Sequence, residues 1–70
     1  MSLGQFLRDA RIKQSLSGKE LGKLINVSQQ QVSRYERGKT SISIETMDSI
    51  LTILDKSWAD FCCEVMKNRI

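Results

Sequence analysis

Gln29, Gln30, Ser33, Arg34 and Arg37 stand close together in the chain, and they are side chains suited to flat polar edges. A glutamine amide gives one hydrogen bond and takes another, which matches N6 and N7 of adenine. An arginine guanidinium donates two parallel bonds, which matches O6 and N7 of guanine. The same residues also suit an ordinary polar helix surface, since Gln is a good helix former. Their spacing and the charge around them weigh against that bland reading. On a helical wheel Val32 and Tyr35 fall inward with Glu36 nearby. Gln30, Ser33, Arg34 and Arg37 fall outward, and Gln29 sits at the exposed N-terminal tip.

Other chemistries lack their residues. The chain has no His, which removes the commonest general base and a common metal ligand. Its serines have no paired base to activate them, and helix capping accounts for most of them. Cys62 and Cys63 are adjacent. Neighbours on a helix point about 100° apart, so these two are not expected to bridge one another. Two cysteines without His fall short of a structural zinc site, and they read as reduced thiols. Neither a Walker-type loop nor a GxGxxG turn is present for a nucleotide. The acidic residues form no cluster for a divalent cation. Met47 and Met66 sit in apolar stripes and read as core filling. The sequence therefore predicts no enzyme, no cofactor and no metal.

The chain has 70 residues, 40% of them hydrophobic and 27% charged. That profile predicts one soluble globular domain over residues 1–70. There are 11 Lys and Arg against 8 Asp and Glu, a net charge of +3. The charge is uneven. Residues 1–40 hold eight basic and three acidic side chains, and residues 41–70 hold three basic and five acidic ones. A basic front half suits a molecule that turns one side towards a polyanion. No apolar run approaches the roughly 20 residues that span a bilayer. No basic, then apolar leader is seen, so the expected location is cytoplasmic, with no membrane partner.

The elements that must position the glutamines and arginines follow from caps and apolar spacing. A first helix from about Leu3 to Gln14 places Leu3, Leu7 and Ala10 on one face. Ser15-Leu16-Ser17 ends it. Ser17 with Glu20 makes a capping box, opening a second helix to about Ile25 with Leu21 and Ile25 inward. Gly22 lies where a side chain would hold the next helix away. Asn26 tolerates the positive φ of a sharp turn, and Val27 plugs the corner. Ser28 with Gln31 reads as a second capping box, opening a third helix to Arg37 with Gly38 as its stop. After the loop Lys39–Ile42, Ser43 caps a fourth helix with Ile44, Met47, Ile50, Leu51 and Leu54 at helical spacing. Ser57 caps a fifth, carrying the apolar stripe Trp58, Phe61, Cys62, Val65 and Met66, of which Trp58 and Phe61 are expected to close the bottom of the core, and the last residues are expected to fray. The fold class predicted is all-α, a compact five-helix globule. Within it, residues 18–37 have the layout of a helix-turn-helix, whose second helix is offered to a DNA major groove.

The stretch Leu16-Ser17-Gly18-Lys19-Glu20-Leu21-Gly22 through Tyr35-Glu36-Arg37-Gly38-Lys39 resembles the Cro/C1-type helix-turn-helix family of phage repressors and bacterial regulators. The resemblance runs from Leu3 to about Phe61. It implies a lambda-repressor-like DNA-binding domain and a sequence-specific transcriptional regulator whose partner is an operator in double-stranded DNA, which places it at the nucleoid. By that resemblance Gln29, Gln30 and Arg34, with Ser33 beside them, occupy base-contacting positions. Arg11, Ser17, Ser28, Arg37, Lys39 and Thr40 occupy phosphate-contacting or positioning ones. The resemblance also brings Arg11 and Glu36 together, as a partly buried ion pair that steers the guanidinium towards a phosphate. The segment Ser28–Glu36 is similar to the SQQQxSRYE segment of the MrpJ-type fimbrial-operon regulators, which implies fimbrial or motility genes as targets.

The resemblance further implies a weak homodimer on DNA, joined through the Lys39–Ile42 loop and the start of the fifth helix. No small-molecule ligand is expected. The alternative is the same fold as a protein-interaction module, antitoxin-like or contacting the transcription machinery. Acidic or apolar outward residues on the third helix would favour that alternative, whereas Gln30, Arg34 and Arg37 favour DNA. The sequence departs from the family pattern at Gly18, where Gln is frequent, and at Ile42, where Pro is frequent. Phe6 and Ile12 are apolar where the family usually carries charge, which reads as local packing or as a contact patch for another protein.

Overall fold

The computed structural model describes residues 2–66, with Met66 described by its backbone only. The expected fraying of the last residues and the place of the Met66 side chain in the apolar stripe lie outside the described residues. Five helices are present: α1 (Leu3–Lys13), α2 (Gly18–Ile25), α3 (Gln29–Glu36), α4 (Ile44–Ile53) and α5 (Trp58–Met66). No strand is present among the described residues, and none of the helices is long and apolar enough to cross a membrane.

Each helix start is a serine. Ser2, Ser17, Ser28 and Ser43 accept, through Oγ, the N–H of Gln5, Glu20, Gln31 and Thr46 at 3.0–3.2 Å. Ser57 accepts that of Asp60 at 3.0 Å. The bond is returned at α2, where Glu20 accepts from the Ser17 N–H at 2.8 Å, and at α5, where Asp60 accepts from the Ser57 N–H at 2.9 Å. These backbone bonds, and then the serine hydroxyls, hold Glu20 and Asp60 below the usual carboxylate range. Ser28 and Gln31 do not form the expected full box. The hydroxyl caps α3, but the Gln31 amide makes no return bond. An uncharged amide gains less from the helix N-terminus than a carboxylate does.

The first four helices end alike. Ser15, Asn26, Gly38 and Asp55 have positive φ, at 57°, 61°, 69° and 57°. The N–H of each, and of the residue after it, turns back to carbonyls three and five residues earlier. In the first such end, Ser15 bonds to Ile12 at 2.9 Å and Leu16 to Arg11 at 3.1 Å. This is a Schellman ending, which satisfies orphan carbonyls while reversing the chain.

The core is Phe6, Leu7, Ala10, Leu21, Val32, Met47, Ile50, Leu51 and Leu54. α2 packs against α3 and α4, and α1 packs against α3 and α5. Phe6 is a buried member of this core, so local packing accounts for it. Ile12 is exposed, on the rim of a groove between α1 and α5. Two further expectations are corrected. Ile44 does not join the inward face of α4; it begins the helix with 76% of its surface exposed. Trp58 does not close the core. It is 40% exposed, packs edge-on against Phe61, and its Nε1–H donates to Asp48 Oδ1 at 3.0 Å. An indole keeps that polar edge towards water rather than bury it. Gly22 is required as expected: a Cβ there would lie 2.6 Å from the Val27 carbonyl oxygen and 3.4 Å from the Ser28 carbonyl, where α3 is capped.

Candidate nucleic-acid interface

α3 is pinned on one side and open on the other. Val32 is buried, and Tyr35 is half-buried against the core. Gln29, Gln30 and Arg34 are exposed, and no bond of theirs is made by a side chain among the described residues. Ser33 is half-buried, and its carbonyl accepts the Arg37 Nε–H at 3.4 Å. Ser17 and Ser28 serve as caps, which uses the oxygen of each hydroxyl and leaves its O–H to donate. Lys39 and Thr40 are exposed in the loop after α3.

Two open clefts flank α3. One, of about 610 Å³, is lined by Gln5, Arg8 and Arg11 of α1, Gly18 of α2, and Gln29, Ser33, Glu36 and Arg37 on the α3 side. The other, of about 450 Å³, is lined by Ser28, Gln30, Gln31, Ser33, Arg34 and Arg37. Ser33 and Arg37 border both and form the ridge between them. The structure thus brings all the expected base-edge residues and Arg37 to one face. Ser17 caps the neighbouring helix, while Lys39 and Thr40 follow α3 in the loop.

Arg11 and Glu36 meet as expected. Nε donates to Oε2 at 2.6 Å and Nη2 to Oε1 at 2.9 Å, with 14% and 8% of the two side chains exposed. Nη1 also donates to the Leu16 carbonyl at 2.9 Å. The Glu36 hydrogen bond raises the Arg11 pKa from its already high value against the pull of burial. Three of the five guanidinium N–H groups are thereby spent. Arg11 is first a brace joining α1, α3 and the turn before α2, with two N–H groups left for a further anion.

Sequence reasoning missed Gln5, Arg8 and Gly4. Gln5, Arg8 and Arg11 repeat every three residues, which puts them on one side of a helix, and that signal was available. Gly4 gave none: a Cβ there would overlap the Glu36 carbonyl oxygen and lie 2.7 Å from its carbon. α1 reaches α3 only because residue 4 has no side chain.

A helix-turn-helix family model matches residues 7–61. The chain belongs to this helix-turn-helix family. Among known proteins it is 33% identical over 57 residues to a Thermococcus kodakarensis protein named as an HTH-type transcriptional regulatory protein. That match covers 81% of this chain and 18% of the relative, so the chain spans under a fifth of that protein's length. Two crystal structures of the clp gene regulator ClgR from Corynebacterium glutamicum are similar. One has a TM-score of 0.86 and 31% identity, covering 97% of this chain and 88% of that one. The other has 0.83 and 34%, covering 89% and 66%. The P22 c2 repressor, crystallised on a synthetic operator, has a TM-score of 0.79 and 25% identity, covering 93% and 94%. The five helices and these neighbours make the fold that of the lambda-repressor-like helix-turn-helix domains.

Proposed function

We propose that this chain is a sequence-specific double-stranded DNA-binding transcriptional regulator, acting as one domain over residues 1–70, with α3 entering the major groove. The observation that carries the reading is the outward face of α3. Gln29, Gln30 and Arg34 are exposed there, with no side-chain partner among the described residues, on a helix fixed from behind by Val32 and the Arg11–Glu36 pair. Fixed side chains with paired donors and acceptors are what base edges select. Family membership and the operator complex of the P22 c2 repressor support the same partner. Gln29, Gln30, Ser33 and Arg34 are assigned to base edges, and Arg11, Ser17, Ser28, Arg37, Lys39 and Thr40 to the backbone. Two copies act together on one operator. Fimbrial or motility genes as targets rest on the Ser28–Glu36 resemblance alone.

Selection from a random duplex pool gives the preferred site. On that site Gln29→Ala and Gln30→Ala each cost about 1–3 kcal/mol and relax preference at one base pair. Lys39→Ala weakens all sequences about equally. If either glutamine variant lowered specific and non-specific binding by the same factor, base reading by α3 would be wrong.

A further inference from the structure

We propose that Arg8 is a DNA-backbone contact, reaching a phosphate from α1 across the cleft floored by Gly18. The inference rests on the DNA-binding reading above and adds a residue to it. Arg8 is exposed and lines the same cleft as Gln29, Ser33 and Arg37. Among the described residues the one carboxylate of that cleft belongs to Glu36, and both its oxygens are taken by Arg11. Gln5, the other α1 residue there, is tied by its amide to Asp9 at 2.9 Å. Arg8 and Arg37 therefore border the cleft with no anion between them, and like charges held side by side attract one.

Gly18 makes the room. A Cβ at this position would stand 3.7 Å from Gln29 Cγ and 3.8 Å from Val32 Cγ1, so a side chain fits without strain. Its absence leaves the cleft open between α1 and α3. The group that enters is a phosphodiester of the duplex already lying on Gln29 and Gln30. Arg8 donates to its oxygens from the α1 side and Arg37 from the α3 side.

The test is the salt dependence of duplex binding. Each phosphate neutralised contributes about 0.9 to the slope of log K against log salt. Arg8→Gln is expected to make the slope shallower by about 0.9, on the selected operator and on an unrelated duplex alike. Affinity at about 0.15 M salt then falls roughly fivefold. Lys56→Gln removes the same charge from the far side of α1, where Lys56 lines the other groove, and is expected to leave the slope unchanged. A Gly18→Gln side chain occupies the cleft, and in that background Arg8→Gln is expected to cost less than about twofold. Inorganic phosphate at matched ionic strength is expected not to displace the duplex. An unchanged slope for Arg8→Gln, an equal change for Lys56→Gln, an undiminished loss in the Gly18→Gln background, or displacement by inorganic phosphate would overturn the proposal. If the unaltered protein bound no duplex in a salt-dependent way, the DNA reading itself would fall, which is a different result.

Discussion

Glu36 lies on the inner flank of α3 with 8% of its side chain exposed, where an unpartnered carboxylate would be expensive. Arg11 takes both of its oxygens, so the pair is worth more than the roughly 0–1 kcal/mol of an exposed one. Glu36→Ala leaves a guanidinium held only by the Leu16 carbonyl. The expected loss is about 2–3 kcal/mol, read as a lower urea midpoint at unchanged m-value. A loss inside the surface range would mean that Glu36 is merely solvated. The need for a partner was legible in an acidic residue beside inward Val32 and Tyr35, while the choice of Arg11 came from the family resemblance. Gly4 was not legible, because its requirement comes from the Glu36 carbonyl, far along the chain. Trp58 was misread for a related reason: apolar spacing shows which residues share a face, and the Asp48 acceptor that keeps the indole at the surface is on another helix.

At the scale of the element, starts were more legible than endings. A serine followed three residues later by Glu or Asp carries its own mechanism, and Ser17 and Ser57 form their boxes. At the ends, Asn26 and Gly38 are types that tolerate positive φ, and both adopt it. Ser15 and Asp55 adopt it too, although for Ser the left-handed region costs about 1–2 kcal/mol. Backbone bonds from Ser15 and Leu16 to Ile12 and Arg11 hold the residue there. Ser15→Gly relieves that cost and gives back about 0.5–1 kcal/mol of chain entropy. The net expectation is a gain of roughly 0.5–1 kcal/mol, about 2–8 °C in Tm for a domain near this size. A lowered Tm would show that the Ser15 side chain itself holds the ending. Position 15 lies outside the α3 face, so operator affinity is expected to stay level.

At the scale of the whole molecule, one α3 meets only a few base pairs, too few to single out a site in a genome. In the arrangement proposed above, two copies on half-sites about 34–36 Å apart would supply the missing information. Ile42, the apolar residue of the loop after α3, was expected to offer the contact, but it packs partly buried against the core. Among the exposed large apolar side chains, Ile12 and Leu24 lie on α1 and α2, while Ile44 and Trp58 begin α4 and α5. Asp48 ties the latter two to one side, being one helical turn after Ile44 on α4 and bonded to the Trp58 ring nitrogen. A patch of two side chains is small, so the proposed pairing is expected to be weak in free solution and strong only when DNA aligns the copies. Binding to a two-fold-related site is then cooperative. Ile44→Asp, at a position with 76% exposure, is expected to leave thermal stability and single half-site binding unchanged while removing the cooperativity. Sedimentation of the complex counts the copies directly. Two chains per selected site, with a two-fold-related sequence, is the expected result; one chain on an asymmetric sequence would rule out the paired arrangement.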